Sequence, residues 1–255
     1  MQNKLGMVIA LASEASAMLG RMKWSNANGR QQRIVQLPGA FELIVALAGV
    51  GTHNAEAAAA DLISQGVTSM VSAGLAGGLD PDLKAADIVV AADVLQITPT
   101  GTDGPWPAET NSAALAVAQL SRHNLRTRSG TILTAETDTL TDSHKAALFQ
   151  QSGALTVDME SAAVARMAAR ANIAFFGLRA VCDPAGQSVP EQLFTCLDPD
   201  GSIRLSAVLQ SVLRQPGLLS PMLRMGLAFS SARKALRRAW KVLMKQGLAQ
   251  TLLKA

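Results

Sequence analysis

Residues 156–170 read TVDMESAAVARMAAR. A β-branched, apolar run ends at Val157 and an alanine-rich segment begins within four residues, so the stretch predicts a buried strand passing almost directly into a helix. Two carboxylates, Asp158 and Glu160, stand at the junction on either side of Met159. Acids in this place have a structural reading, as caps for the free amide groups of the first helical turn. They also have a chemical one, because α/β folds collect ligand groups at the carboxyl ends of buried strands. The pair by itself is compatible with both.

The same strand-to-helix change recurs along the chain. Short apolar, β-branched runs lie at residues 7–11, 43–48, 67–73, 88–95, 154–157 and 173–181, and helical patterns at 14–22, 54–65, 110–122, 161–171 and 202–214. Such alternation predicts an α/β domain, a largely buried sheet flanked by helices. A length of 255 residues with 49% hydrophobic content suits one domain of ordinary size with a sizeable core. The uncharged run 62–79 is long enough to suggest a membrane span. Its Ser, Thr, Gln and Gly content reads instead as helix end, strand and glycine turn. No transmembrane helix and no internal repeat are expected.

Composition narrows the function classes. Aromatics make up 4% and there is no Tyr, which leaves few stacking surfaces for single-stranded nucleic acid, so no nucleic-acid partner is expected. The first eleven residues lack the apolar core and small-residue cleavage site of a secretory signal, which predicts a cytoplasmic protein. Two cysteines, Cys182 and Cys196, and three scattered histidines, His53, His123 and His144, do not have metal-ligand spacing, and no metal is expected.

Two further acids follow predicted strands. Glu14 comes just after the strand in VIALASEASAML, and Asp183 just after the strand in GLRAVCDPAG, where Pro184 keeps it out of helical geometry. Three acids at three strand ends form a constellation. Between them lies VSAGLAGGLDPDLKAADIVV, in which Gly74, Gly77 and Gly78 follow a strand and are expected to let backbone amides approach a ligand.

Taken in order, the strand followed by Glu14, then AGLAGGLDPDLKAADIVV, VDMESAA and LRAVCDPA, resembles the nucleoside phosphorylase and nucleosidase superfamily. The resemblance covers about residues 5–214 and is closest to the methylthioadenosine/S-adenosylhomocysteine nucleosidase branch. It implies an α/β fold with a central mixed sheet flanked by helices, and cleavage of the N-glycosidic bond of an adenine nucleoside. It also implies roles: Glu14 positions or activates the attacking water, Glu160 hydrogen-bonds the ribose hydroxyls with Met159 against the sugar, and Asp183 protonates the purine at N7. Gly74 and Gly77 fall in the family's substrate-binding glycine segment. No cofactor is implied, with phosphate as a co-substrate only if the reaction is phosphorolytic, and a homo-oligomer, a dimer by preference, is implied. A purine anion is a poor leaving group and the sugar passes through an oxocarbenium-like state, which explains the need for an acid on one side and a base on the other.

Some residues depart from the family pattern. Leu75 stands where relatives carry a hydroxyl used on phosphate, and no Gly-Asp-Pro-x-Arg segment supplies a phosphate-binding arginine, so water is the expected nucleophile. The purine-stacking segment, TILTAETDTLTD here, contains no Phe. Cys182 replaces a usual Ser and reads as a small packing residue, since no His accompanies it.

Residues 201–255 hold ten Lys/Arg and no Asp/Glu, leaving thirteen Lys/Arg against nineteen Asp/Glu in residues 1–200. The chain accordingly divides into a catalytic domain, 1–215, and a basic amphipathic tail, 216–255. At helical spacing, Met225, Phe229, Ala232, Leu236, Trp240 and Leu243 form one stripe, with Arg233, Lys234, Arg237, Arg238, Lys241 and Lys245 on the other face. Two readings stand: a helix docked on protein with a solvated basic face, or an interfacial helix over residues 222–247 on the inner face of an anionic membrane. With the AGLAGGLDPD and DPDG signatures, this tail resembles the hopanoid-biosynthesis-associated branch of the superfamily, whose substrate is adenosylhopane, a lipid-linked adenine nucleoside. Three other readings remain. One is a soluble methylthioadenosine/S-adenosylhomocysteine nucleosidase. Another is a dinucleotide-binding oxidoreductase suggested by LAGVGTHNAEAA, where Asn54 occupies the third glycine position. The last is a membrane-surface scaffold with an inactive fold, which a separation of Glu14, Glu160 and Asp183 beyond reach of a single nucleoside would favour.

Overall fold

Ten consecutive residues, Ser69–Gly78, form the strand on which the sheet is built, and none of them is exposed. Val, Met and Ala side chains fill both faces, and the glycines at its outer end leave room for groups from other strands. The computed structural model describes residues 4–20, 23–27, 29–37, 41–136, 141–187 and 219–254. Among these, the chain order is β1 (Lys4–Ile9), α1 (Ala12–Leu19), β2 (Ser25–Ala27), β3 (Arg30–Leu37), β4 (Phe41–Leu47), α2 (Thr52–Ser64), β5 (Ser69–Gly78), β6 (Ile88–Thr98), β7 (Gly101–Pro107), α3 (Thr110–Arg122), β8 (Thr127–Thr134), α4 (Asp142–Ser152), β9 (Thr156–Asp158), α5 (Ser161–Arg170), β10 (Ala174–Asp183), α6 (Leu219–Lys245) and α7 (Leu248–Leu252).

The sheet is mixed. Strand β5 runs parallel to β1 and β10, and β1 runs parallel to β4, whereas β10 lies antiparallel to β6. Strand β6 continues in parallel to β8, and β8 to β9. Short β9 then pairs antiparallel with β5 through Val157 opposite Gly77 and Thr156 opposite Gly78. That pairing closes a ring of β5, β10, β6, β8 and β9, and brings the ends of β5, β9 and β10 together.

The glycines do not form a turn after a strand, as their sequence suggests. Gly74, Gly77 and Gly78 lie within β5, which extends five residues beyond the apolar run that marked it. Strands β2, β3, β7 and β8 and helix α4 carry little apolar patterning and have no counterpart in the sequence reading. β3 is a polar strand toward the sheet edge, and α4 buries only Lys145 and Leu148. The helical pattern at residues 202–214 lies outside the described residues.

Helix α6 decides between the two readings of the basic segment for its apolar stripe. Ala232, Leu236, Trp240 and Leu243 are buried in the same core cluster as Leu5, Met7, Ile9, Val71 and Phe176, against α1, α3 and β10, and Met225 is buried as well. The stripe read as membrane-seeking is therefore part of the body's core, and Trp240, 3% exposed, is a packing residue. Its burial removes from water the apolar surface that an interfacial helix would insert. Trp240→Ala is expected to cost about 3–5 kcal/mol of folding stability, as for other buried Trp truncations. Urea unfolding measures this, and a loss under about 0.5 kcal/mol, the range of surface positions, would detach the helix from the body.

Candidate active site

Glu14 lies in the first turn of α1 and is 5% exposed. One oxygen accepts the Leu11 N–H at 3.2 Å, which caps the helix, and the other accepts the Leu75 N–H at 2.8 Å. Capping and site reading thus hold together for the same carboxylate. A Cβ at position 74 would stand 3.1 Å from Glu14 Oε1, so Gly74 makes space for this acid. Gly77 does the same for Asp183, whose Oδ2 lies 3.1 Å from the position of a Cβ there. The glycines serve the carboxylates directly, which differs from the ligand-approach role that their sequence suggested.

The junction that begins the sequence reading divides its two acids. Asp158 Oδ1 accepts the amides of Glu160 and Ser161 and the Thr134 hydroxyl, at 3.3, 3.2 and 2.7 Å. The Thr134 oxygen in turn accepts the Ala162 N–H at 2.9 Å. Asp158 and Thr134 therefore cap α5, and Glu160, the residue at the cap position, makes no capping bond with its side chain. Glu160 instead reaches the start of α2 and accepts the Gly51 N–H at 3.0 Å. Gly51 belongs to the segment that suggested dinucleotide binding, and its amide is turned to a carboxylate. Met159 sits half-buried between the two acids.

Two buried cations were not singled out in the sequence. Arg179, 2% exposed, donates Nε to Asp158 Oδ2 at 2.7 Å and Nη2 to Ser72 Oγ at 2.7 Å, with Nη2 also 2.7 Å from Asp158 Oδ2 in the ion pair. Lys145, fully buried, donates to Asp183 Oδ2 at 2.5 Å. Arg179 lies within a strand of Phe, Leu and Val, where a lone cation among buried neighbours is the available signal, whereas Lys145 lies in a helix without an apolar stripe, next to half-buried His144 and exposed Ala146, and offers no such signal. Cys182 donates its thiol to Asp183 Oδ1 at 2.9 Å. Burial and the adjacent Asp183 push that thiol well up from its ordinary value, so it is a neutral packing and hydrogen-bonding group.

Glu14 and Asp183 lie against Gly74 and Gly77 on the outer half of β5, and Glu160 is near enough for the Glu14 charge to act on it. Gly74 and Gly77 are three residues apart, about 10 Å along a strand, which is the length of a nucleoside. Burial raises the Glu14 carboxyl above its ordinary value, with the Leu75 amide and Arg179 opposing. Burial and the Asp158 charge raise Glu160 to about 7, against the Gly51 amide and Arg179, with Glu14 adding to the rise. This proximity does not favour the scaffold reading, which wide separation would support. Among the described residues no group of three His, Cys, Asp or Glu side chains is placed to hold a metal ion.

Residues 6–214 match the phosphorylase superfamily model. The chain is similar to a futalosine hydrolase of Streptomyces coelicolor, 32% identical over 167 residues, 59% of this chain and 70% of the relative. It is also similar to a 5′-methylthioadenosine/S-adenosylhomocysteine nucleosidase of Mycobacterium tuberculosis, 26% identical over 229 residues, 71% of this chain and 86% of the relative. The crystal structure of the Helicobacter pylori nucleosidase of that name superposes with a TM-score of 0.71 at 19% identity, over 96% of this chain and 98% of the other. With buried acids at three strand ends, a mixed sheet of this order and a match over most of its length, the chain belongs to the phosphorylase superfamily and is an enzyme of N-glycosidic bond cleavage.

Proposed function

We propose that the protein hydrolyses the N-glycosidic bond of adenosylhopane, releasing adenine, with Glu14, Glu160 and Asp183 as its working acids. The observation that carries the hydrolytic reading is Glu14: a buried carboxylate, anchored by two backbone amides at the mouth of β5 and raised above its ordinary value by burial, is suited to take a proton from water. A second anion such as phosphate beside it would be repelled. Glu160, free of capping duty, accepts the ribose hydroxyls in its charged form. Asp183 protonates the purine, so that the base departs neutral.

The lipid-linked substrate is supported by the resemblance of the basic segment to the hopanoid-associated branch, and methylthioadenosine is the second reading, supported by the nucleosidase relatives. The route to a membrane now runs through the outward side of α6. That helix carries no acid, and a surface cavity of about 430 Å³ opens between His123 and Lys234, Arg237, Arg238, Lys241 and Lys245. Leu223 and Leu227, each 62% exposed, lie near the same helix's start. No helix among the described residues is long and apolar enough to cross a membrane; the contact proposed is with the membrane surface.

Incubation with adenosylhopane or methylthioadenosine, with and without phosphate, tests substrate and nucleophile together. The expected products are adenine and an unphosphorylated sugar in both buffers, with the lipid nucleoside preferred. A ribosyl 1-phosphate whose yield follows phosphate overturns hydrolysis.

Replacing Lys234, Arg237, Arg238 and Lys241 with Gln should abolish pelleting with anionic vesicles, since each cation near such a surface contributes about 1 kcal/mol. Unchanged pelleting, or a native protein that never pellets, removes the membrane contact.

Glu160 also sets a pH dependence. Its folded-state value lies above the unfolded one, so the neutral form is favoured by folding, and the associated stability is lost as pH rises from about 4.5 through about 7. Glu160→Gln is therefore expected to raise the melting temperature at pH 8 and leave it unchanged at pH 4, while kcat/KM of the native enzyme rises through about pH 7. Equal effects of the substitution at both pH values count against the buried charge.

A further inference from the structure

Five cations of α6, Lys234, Arg237, Arg238, Lys241 and Lys245, line one surface cavity of about 430 Å³ with His123 at the end of α3 and with Val242 and Gln246. Their spacing puts 234 beside 238, 237 beside 241 and 241 beside 245, and like charges at i,i+4 destabilise a helix. Acids one turn away would offset them, and α6 has none. The fold accounts for two of the five. Arg238 Nη2 donates to the His123 carbonyl at 2.6 Å, at the C-terminus of α3, and Lys245 stands in the last turn of α6, where the helix dipole favours a cation. The other three, Lys234, Arg237 and Lys241, are exposed, and their side chains make no hydrogen bond or ion pair among the described residues. They also lie a turn or more before Lys245, outside the last turn in which the dipole acts.

The walls of the cavity are held in place. The His123 ring hydrogen-bonds the Gln119 carbonyl through Nδ1 at 2.8 Å, and the apolar side of α6 behind the cations is packed in the core. The volume falls among those of small-molecule sites, about 300–1,000 Å³. From Lys234 to Lys245 the cations span about 16 Å of helix, so a single carboxylate or phosphate would meet only part of the array. Arginine forks match phosphate oxygens in pairs, and a phosphate monoester brings a charge of about −1.5 to −2 at neutral pH. A ligand with two or more phosphate groups therefore matches the array in both length and charge. With Trp240 buried, His123 is the only ring among the lining residues, so the bases of a nucleic acid would find little to stack on.

We propose that this cavity is a binding site for a ligand carrying two or more phosphate groups, with Lys234, Arg237 and Lys241 supplying the free charge. The chemistry is shared by a soluble oligophosphate and by the headgroup of a lipid with two phosphates. The site goes beyond the membrane contact proposed above. General attraction to an anionic surface depends on how many cations α6 carries, whereas a site depends on where they stand. Arg224 and Arg233 belong to the same helix and lie outside the cavity, which makes the two cases separable.

The test compares the native full chain with two double variants that lose the same charge: Arg237→Gln with Lys241→Gln inside the cavity, and Arg224→Gln with Arg233→Gln outside it. One arm titrates inorganic tripolyphosphate by calorimetry at physiological ionic strength. The other measures pelleting with phosphatidylcholine vesicles that contain either cardiolipin, which carries two phosphates, or a charge-matched amount of phosphatidylglycerol. Native protein is expected to bind tripolyphosphate saturably, with affinity lowered at least about tenfold in the cavity variant and less than about threefold in the other. A difference between the variants confined to tripolyphosphate assigns a soluble ligand. A preference for cardiolipin that only the cavity variant loses assigns a lipid headgroup. Equal behaviour of the two variants in both arms leaves only a general attraction and overturns the site, as does a native protein that binds neither probe. Adenine release enters none of these readouts, so failure of the site and failure of the glycosidic reading are told apart.

Discussion

The bond between Arg179 and Asp158 organises this end of the molecule. Arg179 belongs to β10, and its guanidinium reaches Asp158 at the end of β9 and Ser72 in β5, while Asp158 takes the hydroxyl of Thr134 from β8 and the first amides of α5. One ion pair thus ties four strands and a helix start at the place where the ring of strands closes. Breaking it by removing one partner would leave a buried charge uncompensated, at a cost of about 3–5 kcal/mol. The geometry of the site therefore rests on a pair that touches none of the proposed reacting atoms.

A division among the acids follows from that pair. Each aspartate has a buried cation, Asp158 with Arg179 and Asp183 with Lys145. Each glutamate has chiefly backbone amides, Glu14 from Leu11 and Leu75 and Glu160 from Gly51. Neutral amides offset desolvation less completely than a full charge, and both glutamates are accordingly raised. The two aspartates are thus held by charge and the two glutamates by backbone amides, with both glutamate carboxyls raised. The same chain end that holds Asp158 still also sets the electrostatic poise of Glu160, because Asp158 is the neighbouring charge that raises it.

Helix α6 shows how one amphipathic pattern supports two outcomes that only packing separates. Its stripe of Met, Ala, Leu and Trp completes the core over β10 and α1, and its outward side keeps an acid-free array of cations. Because the apolar surface is already used, any attraction to an anionic bilayer must come from charge and from the two exposed leucines, and it should weaken steeply with salt.

Much of this was legible in the amino-acid sequence. Buried strands and amphipathic helices carry periodic apolar residues, so α3 appears with its observed limits and α2 and α5 within two residues of theirs. Glu14, Glu160 and Asp183 stand out because each follows such a strand. The polar strands β3, β7 and β8 were not legible, because their stability comes from pairing with neighbours and leaves little periodic signal. Nor was α4, whose two buried residues are a lysine and a leucine. Gly74 and Gly77 were noticed for a turn that does not exist; that they instead make room for two carboxylates depends on residues 60 and 106 positions away in the chain. The partners of Asp158 and Asp183 were likewise invisible, because a buried cation is tolerated only where a distant acid comes within hydrogen-bonding range, and that coincidence is created by the closing of the sheet. Local sequence determined which segments are strand or helix and where the acids lie along them; tertiary structure alone decided which acid received a charged partner, because that choice is made by side chains meeting across strands that are remote in the chain.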